Sequence, residues 1–114
     1  MKALVVVLAA ALLATPAVAE TIRPADAKAH AGQTLTVEGM VSNVHTAASG
    51  TVFLDMGGRY PDNAFAVVIF AADADKFPDV DALAGKTVEV SGTVRLYRGK
   101  PEIVVKSTDQ IKAK

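Results

Sequence analysis

The stretch GKTVEVSGTVRLYRGKPEIVV, Gly85 to Val105, decides how this chain folds. From Thr87 to Tyr97 its apolar residues recur at every second position. Val88, Val90, Gly92, Val94 and Leu96 fall on one side, and Thr87, Glu89, Ser91, Thr93, Arg95 and Tyr97 on the other. That period marks a strand with one face in a core and the other in water. Arg98-Gly99 then offers a turn, with glycine supplying a positive-φ position. Pro101 follows just past the tip, where a lost backbone donor is tolerated only at an edge. Ile103 to Lys106 resumes as a second strand, so the stretch is a long strand, a basic tip and a shorter strand.

On the N-terminal side, Asp73 to Lys86 (DADKFPDVDALAGK) breaks the alternation. Pro78 and Asp79 can open a short helix that turns Val80 and Leu83 inward and stops at Gly85. Three strand patterns precede it. In the first, from Gln33, Leu35, Val37, Gly39 and Val41 alternate with Thr34, Thr36, Glu38, Met40 and Ser42; Gly39 is expected as a bend or bulge. His45 to Gly50 is a polar loop. Thr51 to Met56 (TVFLDM) is the second strand, ended by Gly57-Gly58, and Arg59 to Asn63 is a turn. Ala64 to Phe70 (AFAVVIF) is the third, apolar on both faces. Glu20 to Ala31 is alanine-rich, with Pro24 at a first helical position and Asp26 in the first turn. It predicts a short surface helix that stops at Gly32. Ser107 to Lys114 is a polar tail in which Ile111 alone docks.

Strand, strand, strand, short helix, strand, strand is the order of the oligonucleotide/oligosaccharide-binding (OB) barrel. The predicted fold class is therefore all-β: a five-stranded OB barrel with a short helix between strands three and four and a short N-terminal helix. Long first and fourth strands, each with a mid-strand glycine, suit the coiling that closes so small a barrel. Thr34–Val41 (TLTVEGMV) and Thr87–Val94 (TVEVSGTV) share this pattern as two glycine-bent strands, not as a duplicated unit.

Of the 114 residues, the first nineteen have the pattern of a secretory leader. Met1-Lys2 is a short positive start and Ala3 to Leu13 an apolar run. Ala17 and Ala19 are the small residues a signal peptidase reads, so cleavage is expected between Ala19 and Glu20. The apolar run falls short of the ~20 residues that span a bilayer. The expectation is a periplasmic or secreted bacterial protein with no membrane anchor after cleavage, and one OB domain over residues 20–114. Cysteine is absent from the sequence, so no disulfide framework supports the fold and stability rests on the core. Twelve basic residues less Lys2 leave eleven against twelve acidic, a net charge of −1. No global basic field draws this protein onto nucleic acid or an anionic membrane, so any such contact is local.

Val52-Phe53-Leu54-Asp55, Tyr60-Pro61, Tyr97-Arg98-Gly99-Lys100-Pro101-Glu102-Ile103 and the closing Asp109-Gln110-Ile111 carry a resemblance. Over roughly Ile22 to Ile111 the chain resembles the small single-domain OB-fold proteins of bacteria described as nucleic-acid-binding or DNA-binding. The resemblance implies an OB barrel; the ligand it implies, single-stranded nucleic acid, is one of many the fold serves.

OB domains bind across the outer face of strands two and three, flanked by the loops joining strands one–two and four–five. Single-stranded nucleic acid needs aromatic faces on which bases stack and cations that follow phosphates. Phe53, Tyr60 and Tyr97 are the stacking candidates; Arg59, Arg95, Arg98, Lys100 and Lys106 are the phosphate candidates. Each has a plainer reading. TVFLDM allows Phe53 to be core, Tyr97 can cover the barrel's end, and Arg98-Gly99 can be turn chemistry alone. Gly57-Gly58-Arg59 lacks the spacing of a phosphate loop. His30 and His45, the only histidines, stand fifteen residues apart without cysteine, so no metal and no cofactor is expected. No G-x-S-x-G or other nucleophile signature occurs, so no catalytic residue is assigned and an enzyme is not expected. The expected function is a non-catalytic module that binds single-stranded DNA or RNA weakly. The alternative is a periplasmic interaction module for a protein or glycan partner, in envelope stress, which the neutral charge and the 5% aromatic content favour.

Overall fold

The computed structural model describes residues 20–114; the leader read over Met1–Ala19 lies outside the described residues. Eight strands form one sheet: β1 (Thr21–Ile22), β2 (Thr34–Thr46), β3 (Val52–Met56), β4 (Phe65–Ile69), β5 (Thr87–Thr93), β6 (Arg95–Tyr97), β7 (Lys100–Val104) and β8 (Ile111–Ala113). A single α-helical turn, α1 (Ala71–Ala74), and a 3-10 turn (Val80–Leu83) lie between β4 and β5.

The fourth strand of the expected barrel is β5 and β6 together, interrupted only at Val94. Its first half pairs antiparallel with β2, and its second half with β7. At the break Val94 is fully buried, and its N–H and C=O bond Gln33 O and Gly32 N at 2.9 and 2.8 Å. No backbone group is orphaned by the bend, as burial requires. The long first strand, β2, behaves the same way: Thr34–Met40 pairs with β5, and Val41–Thr46 with β3. With β3 antiparallel to β4 and β4 parallel to β7, the ring β2-β3-β4-β7-β6/β5 closes on itself. The ring closes through the handover from β5 to β6, and this all-β barrel has the OB strand order.

The inward positions include those the alternation marks, Leu35, Val37 and Val41 and Val88, Val90 and Val94, and add Leu54 and Met56, Phe65, Val67 and Ile69, and Ile103. All are at most 1% exposed. Val80 and Leu83 are partly buried against this core, as the helix reading expects.

Several expectations are corrected. Leu96, expected inward, is 46% exposed: it keeps the parity of Val94 opposite Pro101, but β6 pairs with β7 alone and the hairpin leaves it uncovered. The last barrel strand starts at Lys100, with Pro101 inside it, where Ile103 was expected. Proline is accommodated there because pairing with β4 begins only at Glu102. The first loop is shorter than His45–Gly50, since β2 runs on to Thr46. The irregularity in β2 lies between Val41 and Asn43, not at Gly39. Gly39 instead makes room for Pro24: a Cβ there would sit 2.6 Å from the Pro24 ring. The N-terminal helix is a 3-10 turn (Pro24–His30) preceded by β1, and it is not a surface appendage. Ala27 is fully buried and the turn packs on β2, β4 and β7. Only a side chain as small as alanine lets a helical backbone approach that closely. The polar tail forms β8 on β5, with Ile111 partly buried against the core as expected.

Closure depends on Gly92, where an added Cβ would lie 2.7 Å from Ile103 Cγ2. Gly92→Ala should cost about 1–3 kcal/mol by overpacking a dense core. Urea denaturation would show it as a lower midpoint with an unchanged slope; an unchanged midpoint would mean that the bend has slack.

Candidate nucleic-acid interface

Residues that alternate with the core positions project from the barrel's outer surface in two registered rows. One row is His45, Phe53, Val68 and Val104; the other is Asn43, Asp55, Ala66, Glu102 and Arg95. Phe53 therefore faces outward, and the core reading of TVFLDM is excluded: Val52, Leu54 and Met56 are the buried set. The Phe53 ring stacks on His45, with centroids 5.1 Å apart and planes 16° apart.

Three hollows join across this face into one groove. The first, about 400 Å³, lies between the Tyr60–Asn63 turn and the β6–β7 hairpin, with Ala66 in its floor. The second, about 300 Å³, shares Phe53, Tyr97 and Glu102 with it. The third, about 450 Å³, adjoins the second at Phe70 and Arg95 and ends at Lys106. Of the eight candidate side chains, seven line the groove: Phe53, Tyr60, Arg95, Tyr97, Arg98, Lys100 and Lys106. Arg59 does not; it is exposed in the turn beyond it.

Three exposed rings each carry their own cation. Lys100 Nζ sits 5.8 Å from the Tyr60 ring centre, Arg98 Cζ 5.3 Å from Tyr97, and Arg95 Cζ 5.8 Å from Phe70. These pairings give each ring a polarised partner on one side. The cations are not equivalent. Arg95 Nε and Nη2 both reach Glu102 Oε2 at 2.7 Å, so its charge is matched. Lys100 Nζ donates to the Pro61 carbonyl, to Asn63 O at 3.2 Å and to Asn63 Oδ1 at 3.1 Å. These bonds tie the hairpin to the opposite turn. Among the described residues Arg98, Lys100 and Lys106 are the groove cations with no carboxylate partner, and of these Lys100 is held by carbonyl oxygens.

The tip itself is informative. Arg98 has φ +52° and Gly99 φ +80°, the two positive values of a two-residue type I′ hairpin. Asparagine or glycine enters the first of these positions readily, whereas arginine is strained there. Turn chemistry alone accounts for Gly99 and not for Arg98.

The residues not foreseen are Asp55, Glu102, Phe70 and Asn63. Asp55 and Glu102 are 1% and 6% exposed, yet belong to the outer row. Asp55 Oδ2 accepts the Tyr60 N–H at 3.3 Å and lies 3.6 Å from His45 Nε2, a buried atom without a hydrogen-bond partner. Asn63 is buried, donating from Nδ2 to Phe65 O at 3.1 Å. Phe70 continues the outward parity of Ala66 and Val68, a signal the sequence does contain. Among the described residues no three His, Cys, Asp or Glu side chains gather to hold a metal.

The sequence matches no protein-family model and no curated protein. Its likeness is to solved structures. A Leishmania major chain described as an aspartyl-tRNA synthetase superposes with a TM-score of 0.59 at 14% identity, over 93% of this chain and 23% of its own. Entamoeba histolytica asparaginyl-tRNA synthetase gives 0.59 at 20% identity, over 86% of this chain and 24% of its own. Aspartyl-tRNA synthetase from the same organism gives 0.51 at 20%, over 75% and 19%. This chain thus spans about a quarter or less of each synthetase, and the likeness is one of fold: a small OB-type barrel.

Two substitutions separate the structural cation from the strained one. Lys100→Met should cost about 1–3 kcal/mol, because it removes charge-assisted bonds to carbonyls that then stay unpaired. Arg98→Asn should raise stability by about 1 kcal/mol by relieving the left-handed arginine. Thermal and urea unfolding read both; a stabilising Lys100→Met would refute the tie across the groove.

Proposed function

We propose that this chain is a non-catalytic OB module that binds single-stranded DNA or RNA along the outer-face groove. The observation that supports this most is the run of exposed rings, Tyr60, Tyr97 and Phe70, along one groove that also holds Arg98 and Lys106. Stacking on such rings tolerates every base and contributes about 1–3 kcal/mol per base. Phosphate contacts add a smaller, salt-dependent part. The structural neighbours agree with an RNA or DNA ligand to the extent that their names are those of tRNA synthetases. The leader pattern at Met1–Ala19 supports the reading that the module is exported to the periplasm or to the outside of the cell.

A second reading has its own support. Asp55 and Glu102 bring negative charge to the groove, and a glycan could stack on the same rings while its hydroxyls donate to these carboxylates.

Fluorescence anisotropy of labelled single strands, titrated with salt, tests the proposal. With two phosphate contacts the slope of log K against log salt should be about −1.4, at about −0.7 per contact for single strands. Arg98→Asn should reduce that slope by about 0.7, and Tyr97→Ala should weaken binding by about 5- to 150-fold. Absence of binding at low salt, or indifference to Tyr97→Ala, would sink the nucleic-acid reading; glycan binding in its place would establish the second.

A further inference from the structure

One nitrogen beneath the groove makes no hydrogen bond. His45 Nε2 is buried without a partner, and it lies 3.6 Å from Asp55 Oδ2. The register fixes this relation. His45 stands opposite Phe53 and stacks on it, and Asp55 is the next outward residue along β3. In a neutral ring the contact is poor in either tautomer. With the proton on Nδ1, the Nε2 lone pair has a carboxylate as its neighbour. With the proton on Nε2, the acceptor stands beyond hydrogen-bond reach. The imidazolium carries a proton on both nitrogens, so it turns the same contact into an ion pair. The side chain is 39% exposed, so a proton reaches the ring from solvent.

The two groove carboxylates differ in what balances them. Arg95 matches Glu102 through Nε and Nη2 at 2.7 Å. Asp55 is 1% exposed, and among the described residues no lysine or arginine reaches it. The Tyr60 N–H donates to it, and the Tyr60 ring stands 6.4 Å from His45, but neither supplies a positive charge. Asn43 on β2 and Ala66 on β4, the registered neighbours of Asp55, supply none either. Lys100 is turned to the Pro61 and Asn63 carbonyls, and Arg98 to the Tyr97 ring. Among the described residues, His45 is therefore the group placed to cancel the Asp55 charge.

An unmatched carboxylate under the groove repels the phosphates of a strand lying along it. Protonation of His45 removes that repulsion and leaves Arg98 and Lys106 unopposed. Resting on the nucleic-acid reading above, we infer that single strands bind the protonated form of His45, so that the groove takes up a proton as it takes up its ligand. Linkage makes the effect reciprocal: a proton that tightens strand binding is itself held more tightly once the strand is bound. Histidine changes charge between about pH 5 and 8, so mild acidification strengthens the module's hold on a strand.

The test uses thymidine hexamers without terminal phosphates, whose bases and phosphodiesters do not titrate in that range. Anisotropy at low salt compares binding at about pH 5.5 and about pH 8, on either side of histidine's charge change. The protein should bind about three- to tenfold more tightly at the lower pH, the size of one charge contact near a surface. His45→Gln should bind alike at both. His30→Gln alters the other histidine, on the 3-10 turn, and should keep the full ratio. Asp55→Asn can still accept the Tyr60 N–H, and at the higher pH it should bind as tightly as the unaltered protein does at the lower. Melting curves at both pH values identify any unfolded variant, and either groove variant decides the matter without the other. An unaltered protein indifferent to pH, a ratio that survives His45→Gln, or an Asp55→Asn no tighter at the higher pH overturns the inference and leaves the nucleic-acid reading standing. Hexamers that bind at neither pH sink that reading, and the inference with it.

Discussion

Everything in this barrel depends on one strand serving two neighbours. Thr87 to Tyr97 pairs first with β2 and then with β7, and the handover takes place at Val94. Two demands meet there. The side chain must be buried to hold the bend against the core, and the backbone must keep both hydrogen bonds in a place water cannot reach. Gly32 and Gln33 meet the second demand. Without a cysteine in the chain, no covalent link can substitute for this junction. The aliphatic layer of Leu, Val, Ile and one buried Phe carries the stability.

Closure also fixes the chemistry outside. Because β3, β4 and β7 lie in strict register, Asp55, Ala66 and Glu102 form one line, and Phe53, Val68 and Val104 the next. A one-residue slip in any strand would turn these side chains into the core. The groove thus inherits its precision from the barrel interior. Its electrostatics are finely matched too: Glu102 neutralises Arg95, and backbone carbonyls absorb Lys100.

How much of this was legible in the sequence follows from range. Alternation is a local signal, and it correctly located Leu35, Val37, Val41, Val88, Val90 and Val94 in the core. It failed at Leu96, where the parity holds but the hairpin carries the residue to a position that no second strand covers. The N-terminal alanines looked like surface because alanine carries little hydrophobic signal; burial of Ala27 is a matter of fit inside the ring. The polar members of the site were the least visible. Asp55 and Glu102 read as ordinary charged residues on strands, and only the ring's register puts them on either side of Ala66. The anchoring of Lys100 was invisible too, because nothing local shows that Asn63, far off in sequence, comes to meet it. Arg98 was legible as a turn, but its strain was not, since the sign of φ is decided by the hairpin type.

The two ends of the described chain are both sewn into the barrel. The Thr36 N–H donates to Glu20 O, and the Lys114 N–H to Thr87 O, each at 2.8 Å. β1 lies on β2 and β8 on β5, so the β2–β5 pairing by which the ring closes has a further strand on each side of it. Neither β2 at Thr36–Val37 nor β5 at Val88–Val90 shows a bare edge there, and the closing seam is the middle of a four-strand patch.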